Sequence, residues 1–143
     1  LLAAHRIKIN MKLPVVESQI QIRFADIDML GHVSNSVYPQ YMDLGRVDFF
    51  VELGKTEQAP ISVVRSVSYD MLREITLMDK AKMITWCSSV DGKRMTVNAN
   101  IFVANSCVAK GTTVLVGFDE KTRRACALPS HWEASNTPEN AVI

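Results

Sequence analysis

The chain has 143 residues, 48% of them apolar, and its 16 basic and 15 acidic residues give a formal charge of +1. This size and composition predict one globular domain with a hydrophobic core and exclude a disordered chain. The balanced charge gives no reason to expect nucleic acid or an anionic membrane as a partner. No apolar run approaches the length of a membrane span, so we expect no membrane segment.

The cysteines and histidines show no metal or redox pattern. The three cysteines, Cys87, Cys107 and Cys126, are odd in number and widely spaced, unlike a zinc site or a redox pair. The three histidines lack metal-ligand spacing as well. We therefore expect a protein of a reducing compartment, the cytoplasm, that holds no metal.

The fold is expected to begin after an N-terminal extension, residues 1–16, that is disordered in part. From residue 17 onward, Ile20, Ile22 and Phe24 alternate with polar residues, which predicts a half-buried strand. A single domain then covers residues 17–128. Residues 129–143 are polar and contain prolines, so we expect a frayed C-terminal tail.

A long, widely apolar helix is predicted over residues 36–53. One stripe contains Tyr38, Tyr41, Met42, Gly45 and Phe49, and a second apolar set contains Val37, Leu44, Val47 and Val51. Because only a narrow side is polar, we expect the helix to be mostly buried. Ser34, Asn35 or Ser36 can cap its start. Gly54 fits its end.

Four strands are predicted after the helix, over residues 61–72, 81–90, 95–104 and 107–118. One face of the first is expected to carry Ile61, Val63, Val67, Tyr69 and Met71. Asp91 and Gly92 form a strong hairpin signal between the second and third, so the last three strands predict a meander. The element order favours an α+β fold, with a curved antiparallel sheet of about five strands wrapped around one long buried helix.

The residues suited to chemistry lie where the first strand meets the helix. Asp28 precedes a short glycine-containing turn, and a carboxylate there can activate water or attack a carbonyl. Backbone N–H groups around Asn35 and Ser36 have no intrahelical partner and can bind an oxyanion. His32, close to Asp28, can act as a base or a proton relay. This pattern indicates hydrolysis of an acyl compound.

Each of these residues also has a purely structural interpretation. Asp26 and Asp28 can bond the backbone of their own turn. Asn35 or Ser36 can simply cap the helix, and His32 can bond the backbone of its loop. The spacing of the residues leaves both interpretations open.

Three basic residues are further candidates for ligand contacts. Lys93 and Arg94 follow the hairpin signal and can contact a ligand phosphate or lie in a solvated turn. Arg65 lies in a strand of apolar and small residues, where it can face a sheet edge, an interface or a groove.

The run Asp-Ile-Asp-Met-Leu-Gly-His-Val-Ser-Asn at residues 26–35, with Tyr38 and Tyr41 after it, resembles the motif of a known family. That family is the hotdog-fold acyl-CoA thioesterases of the 4-hydroxybenzoyl-CoA thioesterase type. The Gly-His-Val-x-Asn variant is also similar to plant acyl-ACP thioesterases and bacterial long-chain acyl-CoA thioesterases. The resemblance covers residues 17–118. It departs from the family at Glu74, where proline is frequent, and at Met78 before Asp79, where the family commonly has Gly-Asp.

The resemblance implies hydrolysis of acyl-CoA or acyl carrier protein thioesters without a cofactor, since coenzyme A is part of the substrate. It places the catalytic aspartate on Asp28 rather than Asp26 and the backbone donor on Asn35. Substrate contacts are implied for His32, Ser36, Tyr38, Val64, Arg65, Lys93 and Arg94, the last two towards coenzyme A phosphates. A homodimer or a dimer of dimers is implied because one protomer leaves a sheet edge and a groove exposed.

Two other functions compete with hydrolysis. The same fold can host a module that binds acyl thioesters without turnover, which the presence of Asp28 disfavours. Hydratases and dehydratases of this fold pair an aspartate with a histidine in a different motif, and His32 lacks that context.

Overall fold

The computed structural model describes residues 9–143. Strands β1 (Met11–Lys12) and β2 (Val15–Ile20) precede the long helix α1 (Tyr38–Gly54). The four long strands are β3 (Ser62–Met71), β4 (Ala81–Asp91), β5 (Arg94–Val103) and β6 (Ser106–Asp119). The short elements are strands β7 (Arg124–Ala125) and β8 (Trp132–Glu133), with 3-10 turns at Phe24–Asp26 and Glu139–Ala141. None of the helices in residues 9–143 is long and apolar enough to cross a bilayer.

A curled antiparallel sheet with strand order β2-β4-β5-β6-β3 forms the body of the protein. The predicted β4-β5-β6 meander is confirmed. Its first hairpin turns at Gly92, whose φ of +59° carries no steric penalty for a glycine. The helix packs across β2, β4 and β5. The predicted architecture, one long helix against a curved sheet of five main strands, is therefore confirmed.

The buried face of α1 joins two apolar clusters. The first half of the helix contributes Tyr41 and Met42 to a cluster around Met83 and Ile101. The second half contributes Phe49 and Leu53 to a cluster with Leu13, Cys87, Met95, Val97, Leu115, Leu128 and Trp132. Burying a large apolar side chain is favourable by about 1.5–3 kcal/mol. This face therefore accounts for the attachment of the helix to the sheet.

The second apolar set of the helix is exposed in large part. Leu44, Val47 and Val51 are 53%, 56% and 59% exposed, so the expectation of a mostly buried helix is wrong for this face. The reason is the width of the sheet, because α1 lies over β2, β4 and β5 and leaves β3 largely uncovered.

The helix begins two residues later than predicted, and none of the three predicted caps serves it. Its first residue is Tyr38, and Val37 occupies the cap position without a side-chain hydrogen bond. The polar residues before it form a turn of their own, in which Val37 N–H donates to Ser34 O at 2.9 Å.

The first strand is shorter than the alternating pattern predicts. β2 ends at Ile20, and the chain then enters the 3-10 turn Phe24–Asp26. Phe24 is 84% exposed, so its predicted place on the inner face is wrong.

The predicted face of β3 is wrong because the strand contains a β-bulge. Val64 pairs with Leu115 and Ser66 with Val114, which leaves Arg65 unpaired. An extra residue reverses the alternation of side chains beyond it. Val63 and Val67 therefore lie on opposite faces of the sheet.

The C-terminal segment is packed, so the expectation of a frayed tail is wrong. β8 pairs in parallel with β1, with Met11 opposite Trp132. Further along, Asn100 Nδ2 donates to Ala141 O at 2.9 Å, and Ala141 is fully buried on the outer face of the sheet. Part of the predicted N-terminal extension is likewise built into the fold through β1 and the buried Leu13. Residues 1–8 of that extension lie outside the described residues.

Candidate active site

The loop between β2 and α1 is held closed by backbone contacts at its base. These are Ser34 N–H to Asp26 O at 2.8 Å, the Ile27–Val33 bridge, and Asp28 N–H to His32 O at 2.9 Å. The tip turns at Gly31, which has a φ of +81° that suits glycine. A short, backbone-bonded loop therefore carries Asp28 at its tip.

The Asp28 carboxylate is exposed and is oriented by its own turn. Its Oδ1 accepts hydrogen bonds from Leu30 N–H at 2.9 Å and His32 N–H at 3.3 Å. Within residues 9–143 its Oδ2 receives no hydrogen bond. The turn interpretation of Asp28 is confirmed and is compatible with the chemical one, because Oδ1 fixes the side chain while Oδ2 accepts no hydrogen bond from the described residues.

Asp26 has a different environment, since it is only 1% exposed. Its Oδ2 accepts from Arg23 N–H at 2.9 Å and Tyr41 Oη at 2.7 Å, and its Oδ1 accepts from Arg23 Nε and Nη2 at 3.1 and 2.8 Å. Burial disfavours the carboxylate, but the hydrogen bonds from Arg23 and Tyr41 outweigh it and lower the pKa of Asp26. Because every lone-pair direction is in use, Asp26 is unsuited to act on a substrate.

A cavity of about 490 Å³ lies beside the loop tip. It is lined by Asp28, His32, Val33, Asn35, Tyr38, Met71, Leu72, Arg73 and Glu74. Four predicted site residues therefore meet in one place: Asp28, His32, Asn35 and Tyr38. Ser36 is exposed nearby and does not line this cavity.

The backbone donors of Asn35 and Ser36 lie in the turn before the helix rather than in its first turn. Both residues are exposed. Their N–H groups have no acceptor among the described residues. These donors are thus available for a ligand oxygen at the edge of the cavity.

Tyr38 forms the inner wall of the cavity and is 2% exposed. Its ring packs edge to face on Tyr41, with 6.5 Å between the ring centroids. Burial and the nearby Glu74 carboxylate raise the pKa of Tyr38, so its hydroxyl is neutral and able to donate a hydrogen bond.

Five cavity residues were missed by reasoning from the sequence: Val33, Met71, Leu72, Arg73 and Glu74. Met71 ends β3 and the next three residues follow it, and the bond from Val33 N–H to Ile75 O at 2.7 Å brings this segment to the loop. The only signal in the sequence was the departure from the family pattern at Glu74.

Four predicted substrate residues lie elsewhere in the protomer. Val64 lines a separate groove, and Arg65 is the exposed bulge residue of β3. Lys93 and Arg94 occupy the hairpin at the far end of the sheet, because Arg94 pairs with Val116 at the end of β6 opposite the cavity. A single chain therefore does not bring these four residues to Asp28.

The groove between α1 and β3 has a volume of about 740 Å³ and is mostly apolar. We call it the helix–strand groove; it is lined by Asp43, Arg46, Val47, Phe50, Val51, Ala59, Pro60, Ile61, Ser62, Val64 and Leu115. Its polar part is Arg46, which donates to Thr113 Oγ1 at 2.9 Å and pairs with Asp43.

Other nucleophiles and metal centres have little support in the described residues. Burial raises the pKa of Cys87 to about 11 and also raises that of Cys107, so these thiols are poor nucleophiles. Residues 9–143 contain no cluster of three His, Cys, Asp or Glu side chains placed to share a metal ion.

The helix across a curled sheet, with a carboxylate on the loop before it, is the architecture of hotdog-fold proteins. A family model of the thioesterase-like superfamily matches residues 22–135, and the chain belongs to that superfamily. Comparison with curated proteins gives no match. The predicted resemblance to hotdog-fold thioesterases is confirmed at this level.

Solved structures agree with the assignment. A thioesterase of Thermus thermophilus complexed with coenzyme A and Zn is 28% identical, covers 80% of this chain and 86% of its own, and has a TM-score of 0.69. A predicted thioesterase of Bacillus stearothermophilus is 20% identical over 82% and 90%, with a TM-score of 0.72. A DHNA-CoA thioesterase of Staphylococcus aureus is 22% identical over 82% and 81%, with a TM-score of 0.65. The family and these neighbours support hydrolysis of acyl thioesters in general.

Proposed function

We propose that the protein hydrolyses acyl-CoA thioesters, with Asp28 as the catalytic carboxylate and Asn35 as a backbone donor to the oxyanion. The observation that carries the proposal is that one cavity is lined by both Asp28 and Asn35. Among the described residues, Oδ2 of Asp28 accepts no hydrogen bond and the backbone N–H of Asn35 has no acceptor. A base or nucleophile beside unpaired donors is the arrangement that acyl transfer requires.

In the proposed mechanism the thioester carbonyl oxygen accepts hydrogen bonds from the N–H groups of Asn35 and Ser36. Asp28 either removes a proton from an attacking water or attacks the carbonyl carbon to form an acyl-enzyme anhydride that water then cleaves. The C–S bond breaks, the acyl group takes the water oxygen, and the thiolate takes up a proton. His32 and Tyr38 line the cavity and are proposed to contact the substrate.

Coenzyme A is the proposed carrier because the Thermus thermophilus relative is complexed with it. An acyl carrier protein thioester presents the same chemistry to Asp28. A substrate panel with both carriers separates the two.

We propose a homodimer formed at β3 and the helix–strand groove, and a dimer of dimers as a further assembly of it. Val47 and Val51 on the helix and Ile61 and Val64 near the start of β3 are each between 47% and 59% exposed. They flank an edge strand, whose free backbone groups favour pairing. A second copy that covers this face would also bring further predicted residues to the substrate at Asp28 of its partner. These residues are Val64, Arg65, Lys93 and Arg94.

The dimer is tested by sedimentation of the wild type and of Val51→Asp. We expect the wild type to sediment as a dimer or tetramer and Val51→Asp to shift towards the monomer, because a carboxylate is costly in an apolar interface. A wild type that stays monomeric and fully active contradicts the proposed assembly.

Hydrolysis is tested by measuring free thiol released from a panel of acyl-CoA and acyl carrier protein thioesters. We expect Asp28→Asn to lower kcat by at least about a hundredfold, the usual contribution of a positioned base. Asp119→Asn is the matched control, because Asp119 Oδ1 also accepts backbone N–H groups of its own turn, from Lys121 at 2.8 Å and Thr122 at 3.3 Å. Its activity should equal that of the wild type.

Two results would overturn parts of this proposal. Equal rates for wild type and Asp28→Asn on every cleaved substrate remove Asp28 from the mechanism. Tight binding of acyl-CoA without release of thiol on the whole panel favours the alternative, a hotdog module that binds acyl thioesters without turnover.

A further inference from the structure

The buried Asp26 carboxylate connects three parts of the chain that surround the candidate site. Arg23 directly precedes the 3-10 turn, Asp26 ends that turn, and Tyr41 lies in the first turn of α1. Four hydrogen bonds of 2.7–3.1 Å join them. Each bond involves an ionised acceptor, which makes it stronger than a bond between neutral groups.

The backbone of Asp26 continues this connection into the active loop. Its carbonyl oxygen accepts from Ser34 N–H at 2.8 Å, directly beside the Asn35 and Ser36 donors. One residue further along, the Ile27–Val33 bridge leads to Asp28 N–H, which bonds His32 O at 2.9 Å. Asp26 thus lies at the base of the loop that holds Asp28 on one side and the backbone donors on the other.

Tyr41 fixes this base to the body of the protein. It is 3% exposed and belongs to the same apolar cluster as Met42 and Met83. A hydroxyl held by packed helix and sheet residues gives the Asp26 carboxylate a rigid anchor. The loop itself has exposed side chains at Met29 and Leu30 and so lacks packing of its own at the tip.

We propose that Asp26 and Tyr41 are positioning residues that set the distance between the Asp28 carboxylate and the Asn35 donors. This inference rests on the proposed thioesterase function for its kinetic consequence. Neither residue touches the substrate. Their effect passes through the loop base, because a shift of about 1 Å in reacting groups can lower a rate by about a hundredfold.

The kinetic test uses Asp26→Asn and Tyr41→Phe. Each should lower kcat by about tenfold or more and leave KM within about twofold, since the loss is in geometry rather than binding. When Asp28→Asn is already present, neither change should lower the residual rate further, because both act through Asp28. If the two residues have a purely structural role, kcat per folded molecule should be unchanged in the single variants. Alternatively, the loss of kcat in each double variant with Asp28→Asn should be the product of the two single losses.

Asp48→Asn is the matched control for these variants. Asp48 lies on the same helix and accepts a hydrogen bond from Ser18 Oγ at 2.5 Å, away from the loop. Loss of this hydrogen bond in Asp48→Asn should leave kcat unchanged. An equal loss of kcat in Asp48→Asn would overturn the proposal, because any helix–sheet bond would then have the same effect.

Amide hydrogen exchange tests the loop base without relying on catalysis. In Tyr41→Phe, exchange at Ser34 and Asp28 N–H should become about tenfold faster or more, while exchange at core amides such as that of Ile101 stays unchanged. Tyr41→Phe keeps the Arg23–Asp26 pair and so remains informative if Asp26→Asn fails to fold. Unchanged exchange at Ser34 and Asp28 overturns the positioning role. A wild type without thioesterase activity overturns the proposed function instead, and the exchange result still decides the role of Asp26.

Discussion

Gly45 lies where α1 approaches the sheet closely, which makes Gly45→Ala a sensitive test of the packing. A Cβ atom there would overlap with Thr85 Oγ1 and lie 2.8 Å from Met83 Cε. Both neighbours are fully buried. The end of the methionine can move, but the Thr85 side chain is short and β-branched, so the helix itself must shift.

Two opposing terms set the size of the effect. Alanine in a helix interior is favoured over glycine by about 0.5–1 kcal/mol, whereas overpacking a core costs about 1–3 kcal/mol. The second term exceeds the first, and we expect the free energy of unfolding to fall by about 1–2 kcal/mol.

The measurement is urea denaturation followed by the fluorescence of the two tryptophans. With a slope of about 2 kcal/mol per molar urea, the midpoint of Gly45→Ala should fall by about 0.5–1 M at equal protein concentration. Gly54→Ala is the control, since outside its chain neighbours and the helix backbone no atom of the described residues lies within 4 Å of its added Cβ. It should leave the midpoint unchanged or slightly raised. If Gly45→Ala is as stable as Gly54→Ala, the close packing of α1 on Thr85 is refuted.

Two further predictions concern buried polar groups. Thr85 Oγ1 is buried without a hydrogen-bond partner within the described residues. Thr85→Val should therefore raise the free energy of unfolding by about 1 kcal/mol, measured as a higher urea midpoint. A lower midpoint would show that the hydroxyl has a partner. The pKa of Asp26 in the folded protein lies below its ordinary value. Its charge therefore stabilises the fold at pH values above the unfolded-state pKa of about 3.9. This stabilisation is lost as the pH falls through the pKa of the folded state. The stability gap between wild type and Asp26→Asn should therefore be constant near neutral pH and narrow below about pH 4, and a gap that persists unchanged at pH 3 contradicts an ionised Asp26.

The order and type of the main elements could be predicted from the sequence because they depend on local patterns. Alternating apolar residues and the Asp91-Gly92 pair indicate strands and a hairpin whatever surrounds them. The choice of Asp28 over Asp26 as the catalytic carboxylate rests on the family motif and stays a prediction. In the structure the carboxylate of Asp26 is saturated by Arg23 and Tyr41, whereas Oδ2 of Asp28 accepts no hydrogen bond from residues 9–143.

The wrong predictions involve relations between distant segments. The bulge at Arg65 leaves no mark in the sequence, because Ile61, Val63 and Val67 fit a regular alternation until the register of β3 with β6 is known. Val47 and Val51 look like buried residues because an apolar stripe has the same pattern whether its own sheet covers it or not. The C-terminal tail reads as polar and irregular, yet single residues such as Ala141 anchor it on the sheet.

The parallel pairing of β1 with β8 bears on the order in which the chain folds. It joins Met11 to Trp132, about 120 positions apart, whereas the β4-β5-β6 meander needs only neighbouring segments. Closing so long a loop is entropically costly and contributes to slow folding, and the ribosome delivers β8 only after β1 to β7. We therefore expect Leu13 to lack part of its cover until Trp132 has emerged, so that a nascent chain without β8 exposes apolar surface to chaperones and proteases.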